Sequence, residues 1–245
     1  MKAMIFAAGL GTRLQPLTDA MPKALVPVAG IPMIELLIRH LHANGIKEII
    51  VNIHHFSKQI IEFLFSGRFK ELDISISNEE SGLLDTGGGL KKAAFFFNDN
   101  QPFLVQNVDI MSDVDYAQML GYHIGSGSLA TLAVTKRESS RYLLFDRNMN
   151  LRGWENTKTG QVKFVDSVET KLCRYAFSGI HIIGPDIFGL MKSDGKFSVI
   201  DTYLELSADC RITGFEHDPE NWVDLGKADQ FQKAEMLLAK YKTAG

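Results

Sequence analysis

Short apolar runs bounded by turn residues alternate with stretches of helical period along most of the chain, and this alternation constrains the fold more than any single residue does. Residues 4–8 and 48–53 are rich in apolar and β-branched side chains, as buried strands are. Between them Ile34, Leu37, Ile38 and Leu41 recur on one helical face, with Pro32 where a first helical turn tolerates proline and Gly45 where a helix ends. The pattern predicts further helices at residues 58–65, 90–97, 116–124, 185–191, 201–207 and 228–241, and strands at 73–77, 102–108, 129–135, 175–183, 211–215 and 221–223. Residues 141–168 read as hairpins, because 146–150 and 157–160 are rich in turn formers. Such an order implies an α/β fold: a mostly parallel mixed sheet with helices on both faces and an antiparallel excursion in the middle. No Gly/Ser/Pro linker, internal repeat or low-complexity segment interrupts residues 1–245, which are read as a single domain.

Composition narrows the class of function. Hydrophobic residues make up 45% and charged residues 22%, enough apolar material for a core. A formal net charge of -3 argues against a general nucleic-acid binder but leaves room for a local cationic pocket. Cys173 and Cys210 match no metal-ligand spacing and are expected to be unrelated buried thiols in a reducing compartment. The N-terminal apolar run over residues 3–8 is too short for a signal-peptide core or a membrane span, so a cytoplasmic protein with no membrane partner is expected.

The first loop carries the strongest chemistry. Ala7-Ala8-Gly9-Leu10-Gly11-Thr12-Arg13 leaves the first strand at its carboxyl end, where open α/β sheets bind ligands. Two glycines let backbone approach a ligand and aim N–H groups at phosphate oxygens. Arg13 adds a planar fork suited to phosphate, and Lys23 a compact charge. A lone G-x-G is otherwise an ordinary turn. It is not a dinucleotide fingerprint, which would need glycine where Leu14 stands, nor a P-loop, which would need Gly-Lys-Ser/Thr.

The run continues through Pro16-Leu17-Thr18, Pro22-Lys23, Leu25, Pro27-Val28 and Pro32. Taken whole, without a gap, it resembles the signature of sugar-1-phosphate nucleotidyltransferases. Within that family the likeness is greatest to the N-acetylmuramate-1-phosphate uridylyltransferases. The resemblance implies a Rossmann-like nucleotidyltransferase fold and a reaction joining a nucleoside triphosphate to a sugar 1-phosphate with release of pyrophosphate, and the segments read above are expected to leave no room for the hexapeptide-repeat domain that bifunctional relatives append. It assigns the triphosphate to the backbone of Ala7, Ala8, Gly9, Gly11 and Thr12, the leaving pyrophosphate to Arg13 and the α-phosphate to Lys23. Its partners would be small-molecule substrates, uridine triphosphate first among the nucleotides.

Other segments fit this reading with differing force. Asp85-Thr86-Gly87-Gly88-Gly89 precedes a predicted helix, which Asp85 or Thr86 would cap. Consecutive glycines are costly unless something packs on bare backbone, and the resemblance lays the nucleobase against Gly87 and Gly88. Asp109 and Asp224 each end a predicted strand and match the family's metal-binding aspartates. Two carboxylates suit Mg²⁺, with phosphate oxygens and water completing its shell. Sugar contacts are implied at Asn107 and Gly179. Where the family reads Asn-Gly-Asp, this chain has Asn107-Val108-Asp109, which leaves the local turn open to question.

Asp113 and Asp115 read as turn and helix-start residues, His54-His55 as loop histidines without a third ligand, and Phe95-Phe96-Phe97 as packing. Two alternatives stay open. The same chemistry could serve GTP with mannose 1-phosphate or CTP with phosphocholine, and the chain could be a non-catalytic sugar-nucleotide-binding regulatory protein. Oligomeric state is not legible.

Overall fold

The computed structural model describes residues 1–80, 82–166 and 171–243. The strands are β1 (Ala3–Phe6), β2 (Pro27–Val28), β3 (Ile31–Pro32), β4 (Glu48–Ile53), β5 (Asp73–Asn78), β6 (Phe103–Asn107), β7 (Ile110–Ser112), β8 (Ala130–Thr135), β9 (Arg141–Phe145), β10 (Leu151–Asn156), β11 (Gln161–Phe164), β12 (Cys173–Ile183), β13 (Ile212–Glu216) and β14 (Trp222–Asp224). The helices are α1 (Met33–Ala43), α2 (Ser57–Leu64), α3 (Asp85–Lys92), α4 (Tyr116–Ser126), α5 (Ile187–Leu190), α6 (Val199–Leu206) and α7 (Phe231–Thr243). The fold is α/β with a mixed sheet, as the alternation implied. Chain contacts group it into two compact units: Met1–Leu83 with Gln106–Asp113 and the residues from Asn221 on, and Leu84–Val105 with Val114–Glu220.

In the first unit β1, β4 and β5 run parallel, joined through α1 and α2, with Ala3 opposite Ile49 and Glu48 opposite Asp73. Helix α1 forms because Met33, Ile34, Leu37, Ile38 and Leu41 fall on one face and are all buried. Each such side chain stabilises the fold by about 1.5–3 kcal/mol. Gly45, at φ 78°, ends the helix with its N–H on the His42 carbonyl at 2.9 Å, and the Ile46 N–H reaches Leu41 at 3.0 Å. Pro32 lies one residue before the helix, closing the short β2–β3 pair. A small second core holds Leu14, Val26, Val28 and Met33 against Val223, Leu225, Ala234 and Leu237. It fastens the long loop after β1 to β14 and α7, and so fixes where that loop's polar residues stand.

In the second unit the strand order is β11-β10-β9-β12-β8-β13. The pairs are antiparallel up to β8, and β13 lies parallel to it. The expected hairpins are present, with Asp146 accepting the N–H groups of Asn148 and Asn150 at the first turn. Residues 167–168, at the end of that expectation, lie outside the described residues. Phe97 stacks on Phe103, with ring centroids 3.8 Å apart, so this part of the phenylalanine run is packing as expected.

Helix α3 departs from expectation. It begins at Asp85 rather than Leu90, so the glycine run is inside the helix and not in its entry. Neither Asp85 nor Thr86 caps it; the Thr86 hydroxyl accepts the Val199 N–H at 3.0 Å, at the start of α6. Tertiary contact overrides propensity here. A Cβ on Gly87 would stand 2.4 Å from the Phe197 ring, and one on Gly88 only 2.0 Å from the Gly195 carbonyl oxygen. Alanine favours a helix by about 1 kcal/mol over glycine, whereas overpacking against backbone costs about 1–3 kcal/mol or more. The clash wins. Gly88→Ala is expected to lower the urea midpoint, and a midpoint raised by the substitution would contradict this packing.

Both cysteines are free thiols, but neither is buried: Cys173 is exposed at the start of β12 and Cys210 is half-buried beyond α6. Strand-end and helix-end positions leave them at the surface. Among the described residues no helix is long and apolar enough to cross a membrane.

Two buried histidines set an acid limit on stability. His181 meets the Tyr203 hydroxyl at 2.6 Å, and His123 meets the Thr131 hydroxyl at 3.0 Å. Burial lowers the pKa of His181 to about 3 and that of His123 to about 4. In the unfolded chain both take up a proton near the ordinary value of about 6.5, so below that pH the unfolded state binds more protons. Stability is therefore complete above pH ~6.5 and falls on acidification by about 1.4 kcal/mol per pH unit for each histidine, down to the folded values. His181→Asn, less stable at neutral pH, is expected to show a shallower loss of urea midpoint between neutrality and pH ~4. An unchanged slope would contradict the assignment.

Candidate active site

The site grows from the end of β1. Phe6 makes the last ladder pair with Asn52, and its carbonyl accepts the Val108 N–H at 3.1 Å. The Ala7 N–H turns to the Asn52 side-chain oxygen at 2.7 Å, and the chain peels away into the loop. Gly9 is exposed, with open space where a side chain would be. Gly11 has φ 69°, and a Cβ there would come within 2.9 Å of both Lys23 and Thr18. The Thr18 hydroxyl donates to the Gly11 carbonyl at 3.0 Å. Glycine is thus required at position 11 both by its left-handed backbone and by close packing. The turn it starts, Thr12–Leu14, carries Arg13 outward and buries Leu14.

Two aspartates are brought beside it by a short strand pair, of which the sequence showed only the second strand, at residues 221–223. Asp109 follows β6 in a two-residue turn with Val108. Valine fits there because Val108 is buried and its backbone is not left-handed. β7 begins at Ile110 and pairs antiparallel with β14, so that Asp224 stands opposite Ile110, next to Asp109 in the chain. The Leu225 N–H donates to the Asp109 carbonyl at 2.7 Å and locks the register. Arg13 Nη1 donates to Asp224 Oδ2 at 3.0 Å, and its Nη2 lies 3.7 Å from Asp109 Oδ2. Lys23 Nζ donates to the same Asp109 oxygen. Lys23 and Asp109 are nearly enclosed, with side chains 13% and 9% exposed, whereas that of Arg13 is 54% exposed.

The sequence reading therefore named the four charged residues that meet, and the structure adds a fifth position it had missed. A Cβ on Gly226 would lie 2.6 Å from Arg13 Nη2, 2.7 Å from Asp109 Oδ2 and 2.8 Å from Asp224 Oδ1. Its N–H also donates to Asp224 Oδ1 at 2.9 Å. Glycine next to Asp224-Leu225 was the only local signal, and it marks a place where both carboxylates and the guanidinium converge. Gly226→Ala is expected to leave the fold intact, since only side-chain tips must move, but to lower turnover about tenfold or more by spreading the cluster. Steady-state kinetics beside a melting curve checks this; unchanged kinetics would show that the convergence is not needed.

Burial alone would raise the pKa of Asp224, but the Arg13 guanidinium beside it, the Gly226 N–H and the Lys23 charge outweigh that and hold it below the ordinary carboxylate value. Asp224 is thus an anion at neutral pH. Two cations here face two carboxylates, a balanced set that a polyphosphate would upset by competing for Arg13 and Lys23. The carboxylates would then need another counter-charge. Two converging hard oxygen donors fit Mg²⁺, which takes one or two protein carboxylates and leaves its remaining positions to phosphate and water.

Of the other sequence candidates, Asn107 ends β6 two residues before Asp109. Gly87, Gly88 and Gly179 belong to the second unit. Gly179 has φ 74° within the irregular stretch of β12 between Phe177 and His181, which accounts for glycine there. Asp115 caps α4, accepting the Ala117 and Gln118 N–H groups at 2.9 Å each, as a helix-start residue should. His54 binds the Glu79 carbonyl through Nδ1 at 2.9 Å, and no cluster of three potential metal ligands occurs among the described residues.

Residues 2–241 match the family model described as Nucleotidyl transferase. The chain belongs to that family. It is 32% identical to the N-acetylmuramate alpha-1-phosphate uridylyltransferase of Caulobacter vibrioides, over 97% of each chain. It is 30% identical to the mannose-1-phosphate guanylyltransferase catalytic subunit beta of Dictyostelium discoideum, over 94% of this chain but 62% of that one. Among solved structures, the UDP-glucose pyrophosphorylase of Acinetobacter baumannii superposes with a TM-score of 0.76 at 18% identity, covering 95% of this chain and 91% of that one. This last likeness shows the nucleotidyltransferase fold. As a member of the nucleotidyl transferase family the chain is an enzyme of nucleotidyl transfer.

Proposed function

We propose that this enzyme condenses a nucleoside triphosphate, uridine triphosphate first, with a sugar 1-phosphate, N-acetylmuramate 1-phosphate first, to give a nucleotide sugar and pyrophosphate. The observation that carries the reading is the meeting of Arg13, Lys23, Asp109 and Asp224 beside the glycine loop that ends β1. A sugar-phosphate oxygen attacks the α-phosphorus in line with the departing pyrophosphate. That nucleophile is already an anion, so no general base is needed and catalysis consists of positioning and charge neutralisation. The loop backbone from Ala8 to Thr12 receives the triphosphate, because the Ala7 N–H is already taken by the Asn52 side chain. Arg13, with its side chain 54% exposed, exchanges Asp224 for the departing pyrophosphate, while the enclosed Lys23 steadies the α-phosphate. Asp109 and Asp224 would hold Mg²⁺, which supplies positive charge to the phosphate oxygens when bound.

On the sugar side the reading keeps Asn107, at the end of β6. It does not rest base recognition on Gly87 and Gly88, whose bare faces are filled by Phe197 and Gly195. Uridine and muramate are favoured by the likeness to the Caulobacter uridylyltransferase over nearly the full length of both chains. A second reading, GTP with mannose 1-phosphate, is favoured by the Dictyostelium likeness.

Pyrophosphate release with Mg²⁺ separates them. The four common ribonucleoside triphosphates and dTTP are crossed with N-acetylmuramate, N-acetylglucosamine, glucose and mannose 1-phosphates and with phosphocholine. Turnover with UTP and N-acetylmuramate 1-phosphate is expected. Turnover only with another pair replaces the substrates, and nucleotide-sugar binding without turnover would favour a regulatory protein.

A further inference from the structure

The loop that receives the triphosphate is held by a buried polar pair that the reaction itself does not use. Asn52 is the last residue of β4 in register with β1, opposite Phe6. One residue further on, the backbone ladder is replaced by a side chain: Asn52 Oδ1 accepts the Ala7 N–H at 2.7 Å. The other end of the same amide, Nδ2, donates to Glu79 Oε1 at 2.8 Å. Glu79 follows β5, fully buried, with its own N–H on the Ile53 carbonyl at 2.8 Å and its carbonyl accepting from His54. Asn52 is likewise buried.

These contacts are directional. The Ala7 N–H can only donate and a Glu79 carboxylate can only accept, so the Asn52 amide has a single orientation that serves both. Glu79 therefore decides which end of Asn52 faces Ala7. The Ala7 N–H points inward as a result, and the chain leaves β1 at a set angle into Ala8 and Gly9. Building the pair buries a carboxylate, which is costly unless it is well bonded, so packing alone would be met more cheaply by apolar side chains.

We propose that Asn52 and Glu79 are a positioning pair for the nucleotide loop: Glu79 orients the Asn52 amide, and Asn52 sets the backbone of Ala7 so that the loop can receive the triphosphate. The proposal rests on the nucleotidyl-transfer reading for what the loop binds. Neither residue is assigned to contact substrate.

The test exchanges donor and acceptor. Asn52→Asp keeps the oxygen for Ala7 but sets a second carboxylate against Glu79. Adding Glu79→Gln returns a donor to that contact with its polarity reversed. Two readouts are taken, the dissociation constant for UTP with Mg²⁺ by calorimetry and the steady-state KM for each substrate.

N52D is expected to weaken UTP binding and to raise its KM about tenfold or more, equivalent to a single lost charge-assisted hydrogen bond, with the sugar-phosphate KM little changed. N52D/E79Q is expected to return both values to within about threefold of the parent. Should N52D not fold, the double variant is expected to fold and bind UTP normally. An N52D protein with unaltered UTP affinity would overturn the proposal, as would a defect that E79Q does not repair or a double variant that also fails to fold. A parent that binds UTP but releases no pyrophosphate would instead defeat the transferase reading, and the pair would still be judged from UTP affinity.

Discussion

Asp109→Asn is expected to give a folded protein whose turnover is lower by about 10³-fold, because it removes charge and almost nothing else. Asparagine keeps the shape of the side chain and an oxygen for Lys23 Nζ, and the backbone bond from Leu225 to the Asp109 carbonyl is untouched. What disappears is half of the anionic charge that pairs with Arg13 and Lys23 before the substrates arrive and that would hold Mg²⁺ afterwards. If the two carboxylates act as one unit, Asp224→Asn in the same protein adds little further loss, as happens when grouped residues are removed one after another. Kinetics at saturating Mg²⁺, beside a cooperative melt, checks both statements. Near-parental turnover of Asp109→Asn would defeat the metal assignment.

Lys23→Met is expected to cost about 10²–10³-fold in kcat with a smaller change in the KM for nucleotide. Lys23 is the enclosed cation of the pair: its side chain is 13% exposed against 54% for Arg13. A fixed, desolvated charge gains most in the transition state, where negative charge on the reacting phosphate must be met without rearrangement. Methionine keeps the stem and its packing against Gly11, so the loop should stay in place. Lys23→Arg is not expected to restore activity, since a planar fork does not place its donors where the single Nζ of a nearly enclosed Lys23 meets Asp109. A loss confined to KM would show that Lys23 contributes uniform binding rather than transition-state stabilisation.

The parts of this account readable in the sequence were those written in contiguous residues. The loop over residues 7–32 carries its phosphate chemistry in one unbroken run, and β4 was read at its true bounds because its apolar, β-branched run ends cleanly. Asp109 and Asp224 were named from strand-end context together with the family resemblance, and β14 was read to within a residue, but its partner β7, three residues long, was too short to show a period. Gly226 escaped notice because its role is to be absent from a point where distant side chains meet. The glycine run of α3 was placed outside the helix because propensity argues against it, and only the contact with Gly195 and Phe197 explains it. Asn52 and Glu79 were not singled out in the sequence, since a hydrogen bond spanning forty-five positions leaves no local trace.

The central claim is transfer of the α-phosphoryl nucleotide to a sugar phosphate at the cluster of Arg13, Lys23, Asp109 and Asp224. Its most direct test supplies UTP labelled at the α-phosphorus, and separately at the γ-phosphorus, to the enzyme with Mg²⁺ and N-acetylmuramate 1-phosphate. The account predicts α-label in a nucleotide sugar and γ-label in pyrophosphate. Gamma-label on the sugar, or α-label that stays in free nucleotide with folded protein across the sugar-phosphate panel, would contradict it.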